Sequence, residues 1–215
     1  LMFRVSTVLS LNGLSTPLGN FGPGPLARGT AVHAACDALA SGYTPIVEAA
    51  HAPYVDGFRE WFVKFEPTIV FTERRVVNRM RRLTGRVDLG VVVADTPYVV
   101  DIKTGTSAAW HGLQLAGYQW LASSDDELCR RYEKAYNLAQ GRPETTLHRA
   151  VLYLPGDGSY KWVIQRDPQD AYIFRAAHAL LCYRHDHGLL DYTDPEVPDD
   201  DVPVIQSLPT ENGVF

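Results

Sequence analysis

Three runs rich in β-branched residues follow one another between residues 68 and 105: TIVFTERRVV, LTGRVDLGVVVAD and PYVVDIKTG, parted by turn-forming residues. Runs of this kind predict consecutive strands. Upstream the period changes. LARGTAVHAACDALASG (26–42) carries small and apolar residues at helical spacing and is closed by Gly42, and YVDGFREWFVKFE (54–66) predicts an amphipathic helix stopped by Pro67. Downstream, SAAWHGLQLAGYQWLA (107–122) and DDELCRRYEKAYNLAQG (125–141) predict two further helices. RAVLYLPG (149–156) and YKWVIQR (160–166) predict a strand pair around PGDGS, and PQDAYIFRAAHALLCYRHDHG (168–188) predicts the last helix. Residues 4–11 read as a short strand or an extended lead-in, and the Gly- and Pro-rich stretch 11–25 reads as a loop. This order predicts one α/β domain over residues 1–190, with a central mixed sheet flanked by helices. Residues 191–215 form an acidic, Pro-containing tail, expected to be extended or partly disordered.

Composition narrows the class. The chain has 215 residues, 46% hydrophobic and 21% charged, an ordinary globular balance. No apolar run approaches the ~20 residues of a membrane span, and no secretion signal is expected in LMFRVSTVLS. Cys36, Cys129 and Cys182 are scattered and odd in number, which fits a reducing compartment and gives no zinc or iron–sulfur spacing. A cytoplasmic location is expected, that of the host if the chain is phage-encoded.

The net charge of −5 argues against a nucleic-acid partner until its distribution is considered. Residues 186–215 hold eight acids and no Lys or Arg, leaving 17 acids against 20 bases in the rest. Within that body, RRVVNRMRRLTGR (74–86) has six arginines and no acid. Such a stripe can hold phosphates, although a solvated hairpin has the same composition.

The third run carries unusual charges for a strand. Asp88 on the second run and Asp101 near the end of the third can meet at one end of adjacent strands, an oxygen-rich setting that suits a hard divalent cation. Lys103 shares a strand face with Asp101. An ammonium beside a metal-bound carboxylate can orient a water and stabilise charge on a phosphate oxygen. An acid-x-Lys triplet alone carries almost no weight, since a salt-bridged strand end looks the same. Here it has company: RGTAVH with His33 upstream, Gly85 three residues before Asp88, and Gln114 and Tyr118 on one face of the following helix. With these elements in this order, residues 28–120 resemble the PD-(D/E)XK nuclease superfamily, and more narrowly its RecB-type exonuclease branch.

The resemblance implies a restriction-endonuclease-like core and a metal-dependent nuclease. His33, Asp88 and Asp101 would be metal ligands, with the Ile102 carbonyl completing the shell around Mg²⁺ or Mn²⁺. Lys103 would position the attacking water, and Gln114 and Tyr118 would contact the DNA strand or scissile phosphate. Glu73 would have a supporting role. Arg28, expected near a helix N-terminus, would contact phosphate, as would Arg74, Arg75, Arg81, Arg82 and Arg86. Trp110 and Trp120 are candidates for base stacking. His111 is expected in a loop or at the surface. RecB-type relatives with an iron–sulfur cluster group three cysteines near the C-terminus; only Cys182 lies there, so no cluster is expected. The activity implied is an exonuclease acting on single-stranded or duplex DNA ends, in recombination, repair or phage DNA processing, with recombination proteins as partners. A CRISPR-adaptation-like or structure-specific endonuclease and a catalytically silent DNA-binding module stay open. The oligomeric state is not specified.

Overall fold

The computed structural model describes residues 1–15, 23–135, 146–192 and the backbone of 207–209. The chain opens with a two-residue strand, β1 (Phe3–Arg4), which runs directly into a helix, α1 (Val5–Leu11). The strand or extended lead-in expected over residues 4–11 is thus mostly helix. Val5, Val8 and Leu9 are buried, and their i, i+3, i+4 spacing puts them on one helical face. Next, α2 (Pro23–Ala40) begins inside the expected loop and buries Val32, Ala35, Cys36 and Leu39 along one stripe. Gly42 follows at a φ of +83°, where a Cβ would be disfavoured. A short strand, β2 (Tyr43–Pro45), leads to α3 (Ala52–Phe65), which buries Val55, Phe58 and Trp61. Its left-handed cap, Glu66, is followed by Pro67, which cannot continue a helix.

The three β-branched runs become β3 (Thr68–Asn78), β4 (Leu83–Val93) and β5 (Thr96–Lys103), paired antiparallel in sequence. Two helices follow, α4 (Trp110–Ala122) and α5 (Asp126–Ala135); the remainder of the helix expected to residue 141 lies outside the described residues. The chain then returns parallel to β5 as β6 (His148–Tyr153) and pairs antiparallel with β7 (Lys161–Ile164). The helix α6 (Gln169–Asp186) completes the body. Of the tail, β8 (Ser207–Pro209) pairs antiparallel with β2; residues 193–206 and 210–215 lie outside the described residues.

The main sheet is therefore mixed, in the order β1-β4-β5-β6-β7, with β3 on the other side of β4. Its two faces bury separate cores. One packs side chains of α1, α4, α5 and α6, and the other packs those of α2 and α3. Ten of the thirteen residues of α4 are buried, because it lies between the sheet and two further helices. Glycines allow that approach. A Cβ on Gly112 would meet Asp170 Oδ2 at 2.5 Å, and one on Gly117 would meet the Phe174 ring at 2.6 Å. The expected α/β architecture, a mixed sheet flanked by helices, is the one observed.

Candidate active site

The site forms where the sheet comes apart. β1 pairs in parallel with β4 at Leu83 and Thr84, and β5 pairs with the same side of β4 only from Leu89 onward. Residues 85–88 of β4 have no ladder partner on that side. The alternation of side chains also slips here. Leu83 and Val87 face the α4–α6 layer, whereas Leu89, Val91 and Val93, of the same parity, face the α2–α3 layer. On β3 the same exchange occurs between Phe71 and Val76, which share a core despite opposite parity. Glu73 lies between them at a φ of +40°, opposite Asp88 in the register. A non-glycine residue held there costs on the order of 1–3 kcal/mol, and such strain gathers at functional sites. Residues that face each other on paired strands share one side of the sheet, so the two acids enter one space.

His33, from the flank of the buried stripe on α2, joins them. Its Nδ1 lies 3.5 Å from Asp88 Oδ2 and 3.6 Å from Glu73 Oε1, while its Nε2 lies 2.9 Å from the Ile102 carbonyl oxygen. Ligand atoms of His33, Glu73 and Asp88 all fall within 4.8 Å of one another. Asp88 Oδ2 also accepts the Ile102 N–H at 2.7 Å, taking the place of a missing strand partner. Burial alone would depress the His33 pKa, but the carboxylates of Asp88 and Glu73 outweigh it and carry the pKa up to about 9. Burial also raises Asp88, against the pull of His33. The pocket thus draws a positive charge between two acids. A divalent cation fits this donor set. The two carboxylates give it the oxygen ligands that a hard divalent ion prefers, and the His33 imidazole adds a nitrogen.

Asp101 stands apart from this cluster. Its carboxylate is buried, and Oδ2 lies 2.7 Å from Lys103 Nζ and meets no other donor. Burial raises its pKa, opposed by the Lys103 ammonium. Lys103 Nζ donates to Gln114 Oε1 at 3.0 Å, and Gln114 Nε2 donates to the Tyr118 hydroxyl at 2.9 Å. Gln114 takes one ammonium N–H and Asp101 balances the charge, which leaves donor capacity on Nζ. Gly85 accounts for the position of Tyr118: a Cβ there would stand 2.9 Å from the ring. Trp110, at the start of α4, places its ring 5.5 Å from Lys103 Nζ. His111 is not a loop or surface residue. It is buried on α4, with Nδ1 2.8 Å from the Tyr153 hydroxyl, which in turn donates to Ser107 Oγ at 3.1 Å. Burial, reinforced by Lys103, lowers its pKa to about 4, so it is neutral near pH 7.

The expected phosphate contacts divide. Because α2 begins at Pro23, Arg28 is not in its first turn; Nη2 reaches the Thr104 carbonyl at 3.5 Å and the guanidinium lies over the Tyr54 ring. Arg74 pairs with Glu127 at 2.9 Å, Arg81 donates to the Trp120 carbonyl at 3.2 Å and to Ser124, and Arg82 holds both oxygens of Asp186 at 2.8 Å. Arg75 and Arg86 face each other across β3 and β4. Trp120 is packed against Phe174 and His178 and carries the guanidinium groups of Arg81 and Arg175. Glu73 enters the centre of the site, beyond the supporting place first given to it. Folding the 68–95 segment about the RMRR turn sets residue 73 opposite residue 88, so that proximity was readable; the left-handed backbone was not.

No curated protein matches the chain in sequence. Among solved structures, LHK-Exo in complex with dAMP superposes with a TM-score of 0.39 at 12% identity, over 87% of this chain and 89% of that one. An alkaline exonuclease from Laribacter hongkongensis, LHK-Exo, gives a TM-score of 0.31 at 13% identity, over 88% of this chain and 95% of that one. A profile of the PD-(D/E)XK nuclease superfamily matches residues 28–181, a span that includes His33, both aspartates, Lys103 and the Gln114–Tyr118 pair, and the chain belongs to that superfamily.

Proposed function

We propose that the chain is a divalent-metal-dependent deoxyribonuclease of the RecB-type branch, an exonuclease that hydrolyses phosphodiester bonds at DNA ends. The observation that carries this reading is the meeting, at the open end of β5, of a cation-binding cluster and a lysine with a free N–H. His33, Glu73 and Asp88 hold Mg²⁺ or Mn²⁺, with the Ile102 carbonyl beside them and Asp101 available from the neighbouring strand. The cation supplies Lewis-acid polarisation of a phosphate oxygen and a lowered pKa for water. Asp101 fixes the Lys103 ammonium, whose free N–H orients the attacking water toward phosphorus. Gln114 keeps Lys103 and Tyr118 in one chain of hydrogen bonds. Because Tyr118 accepts from Gln114, its own O–H proton is free for a phosphate oxygen. Trp110, beside Lys103, offers a face for the terminal base. The setting is the cytoplasm, with DNA single strands or duplex ends as substrate and recombination proteins as partners.

The test uses end-labelled linear and closed circular DNA, single- and double-stranded, with Mg²⁺, Mn²⁺ or EDTA. Mononucleotide release from linear DNA is expected with either cation and none with EDTA. Lys103→Ala should lower the rate about 10²–10⁴-fold with little change in KM. Cutting of closed circles would replace the exonuclease reading with an endonuclease one. No cleavage of any substrate would leave a silent DNA-binding module.

A further inference from the structure

Six arginines and no acid lie between residues 74 and 86, yet they do not all do the same work. Arg74, Arg81 and Arg82 are bound to α5, the end of α4 and the end of α6, and so clamp the β3–β4 hairpin onto the helical layer. Leu83 is further held by its pairing with Phe3 on β1. Among the described residues, the guanidinium groups of Arg79 and Arg86 make no hydrogen bond or ion pair. Arg86 lies two residues before Asp88 on β4, and Arg79 lies at the hairpin tip, beside Met80, which is 98% exposed. The hairpin is therefore a fixed arm that leaves the metal cluster and carries uncompensated positive charge at two separate places.

We propose that this arm measures the bound strand, with Arg86 and Arg79 each holding a phosphate at a set distance from the cut. The inference rests on the nuclease reading above and adds a footprint to it. At about 3.3 Å per residue, Arg86 stands roughly 7 Å along the strand from Asp88, and Arg79 roughly 20 Å from Glu73. A stacked strand rises about 3.4 Å per nucleotide, so the two contacts fall about two and about six nucleotides from the scissile bond. Anchorage by the other three arginines is what makes the spacing fixed, since a loose arm would follow the strand without measuring it.

Single-stranded oligonucleotides that extend one to ten nucleotides on either side of a single labelled position provide the test. On one side, kcat/KM should rise in two steps, near two and near six nucleotides, and then level off. Arg79→Gln should remove the second step, about tenfold at low salt, and leave the shortest substrates unchanged, while Arg79→Lys restores most of it. Arg86→Gln should slow every substrate longer than about two nucleotides. Each change should flatten the log–log salt dependence of binding by about 0.7. Binding of the same oligonucleotides by fluorescence anisotropy in EDTA separates this inference from the nuclease reading. Stepwise affinity that Arg79→Gln truncates, without cleavage by the unmodified protein, would uphold the arm and sink the nuclease. Length-independent affinity and rate, or an Arg79→Gln effect equal on short and long substrates, would overturn the arm.

Discussion

His33 is the residue whose charge state answers most directly to the rest of the site. Two carboxylates hold its proton up to a pKa of about 9 against burial, well above the ordinary 6.5. A proton bound more tightly in the folded chain stabilises that chain fully below pH 6.5, and the contribution is lost as pH rises through about 9. In EDTA, the thermal midpoint of the unmodified protein should exceed that of His33→Gln by its widest margin below pH 6.5, and the margin should close toward pH 9. A margin that is constant with pH would refute this account. Cation and proton compete for the same space, so Mg²⁺ or Mn²⁺ affinity should rise across the same window, with proton release detectable by calorimetry in buffers of different ionisation enthalpy. At this scale the sequence was informative about chemistry and poor about partnership. Asp101 and Lys103, two apart on a strand, were readable as a pair and are one. The contact of His33 with Glu73 depends on a backbone angle that no residue type announces.

Elements show why some positions were readable and others were not. LTGRVDLGVVVAD has apolar residues at 87, 89, 91 and 93, which reads as one uninterrupted face, yet Val87 and Leu89 enter different cores. A strand covered by helices on both faces loses the polar positions that would mark the slip. The α1 segment was misread for a related reason. VSTVLSL is rich in β-branched residues and only seven long, too short for its i, i+3, i+4 pattern to outweigh composition. Gly85 is the glycine of this region with a stated cause. Gly85→Ala would place a Cβ 2.9 Å from the Tyr118 ring and 3.1 Å from Leu121 Cδ1, forcing the face of α4 outward. A loss of about 1–3 kcal/mol in chemical denaturation is expected. Nuclease activity should fall more than that loss explains, because Tyr118 carries Gln114, and Gln114 carries Lys103. Unimpaired activity per folded molecule would show that this chain of hydrogen bonds does not matter to the reaction.

At the scale of the molecule, the site draws on α2, β3, β4, β5 and α4; the last four follow one another in the chain, and α2 is parted from them by β2 and α3. Composition and the order of elements were enough for an α/β body with a mixed sheet, because each strand and helix announces its own period. Assembly was not contained in those periods. The expected uniform basic stripe became clamps and free arginines only when α5 and α6 were brought against the hairpin.

The parting of β1 and β5 along one side of β4 has a dynamic consequence. Between Thr84 and Leu89 the sheet lacks the hydrogen bonds that would knit it shut, and a single carboxylate oxygen, Asp88 Oδ2, bridges the breach to the Ile102 amide. The seam at the candidate site is thus a place where the ladder is interrupted, and ligation of Asp88 and His33 would tighten it from within. Amide exchange at Ile102 should be faster than at Val99 and Val100 in EDTA and should slow when Mn²⁺ or Mg²⁺ is added, with the amides of β7 unaffected. The cation would then act as the last tie of the sheet as well as the reagent held inside it.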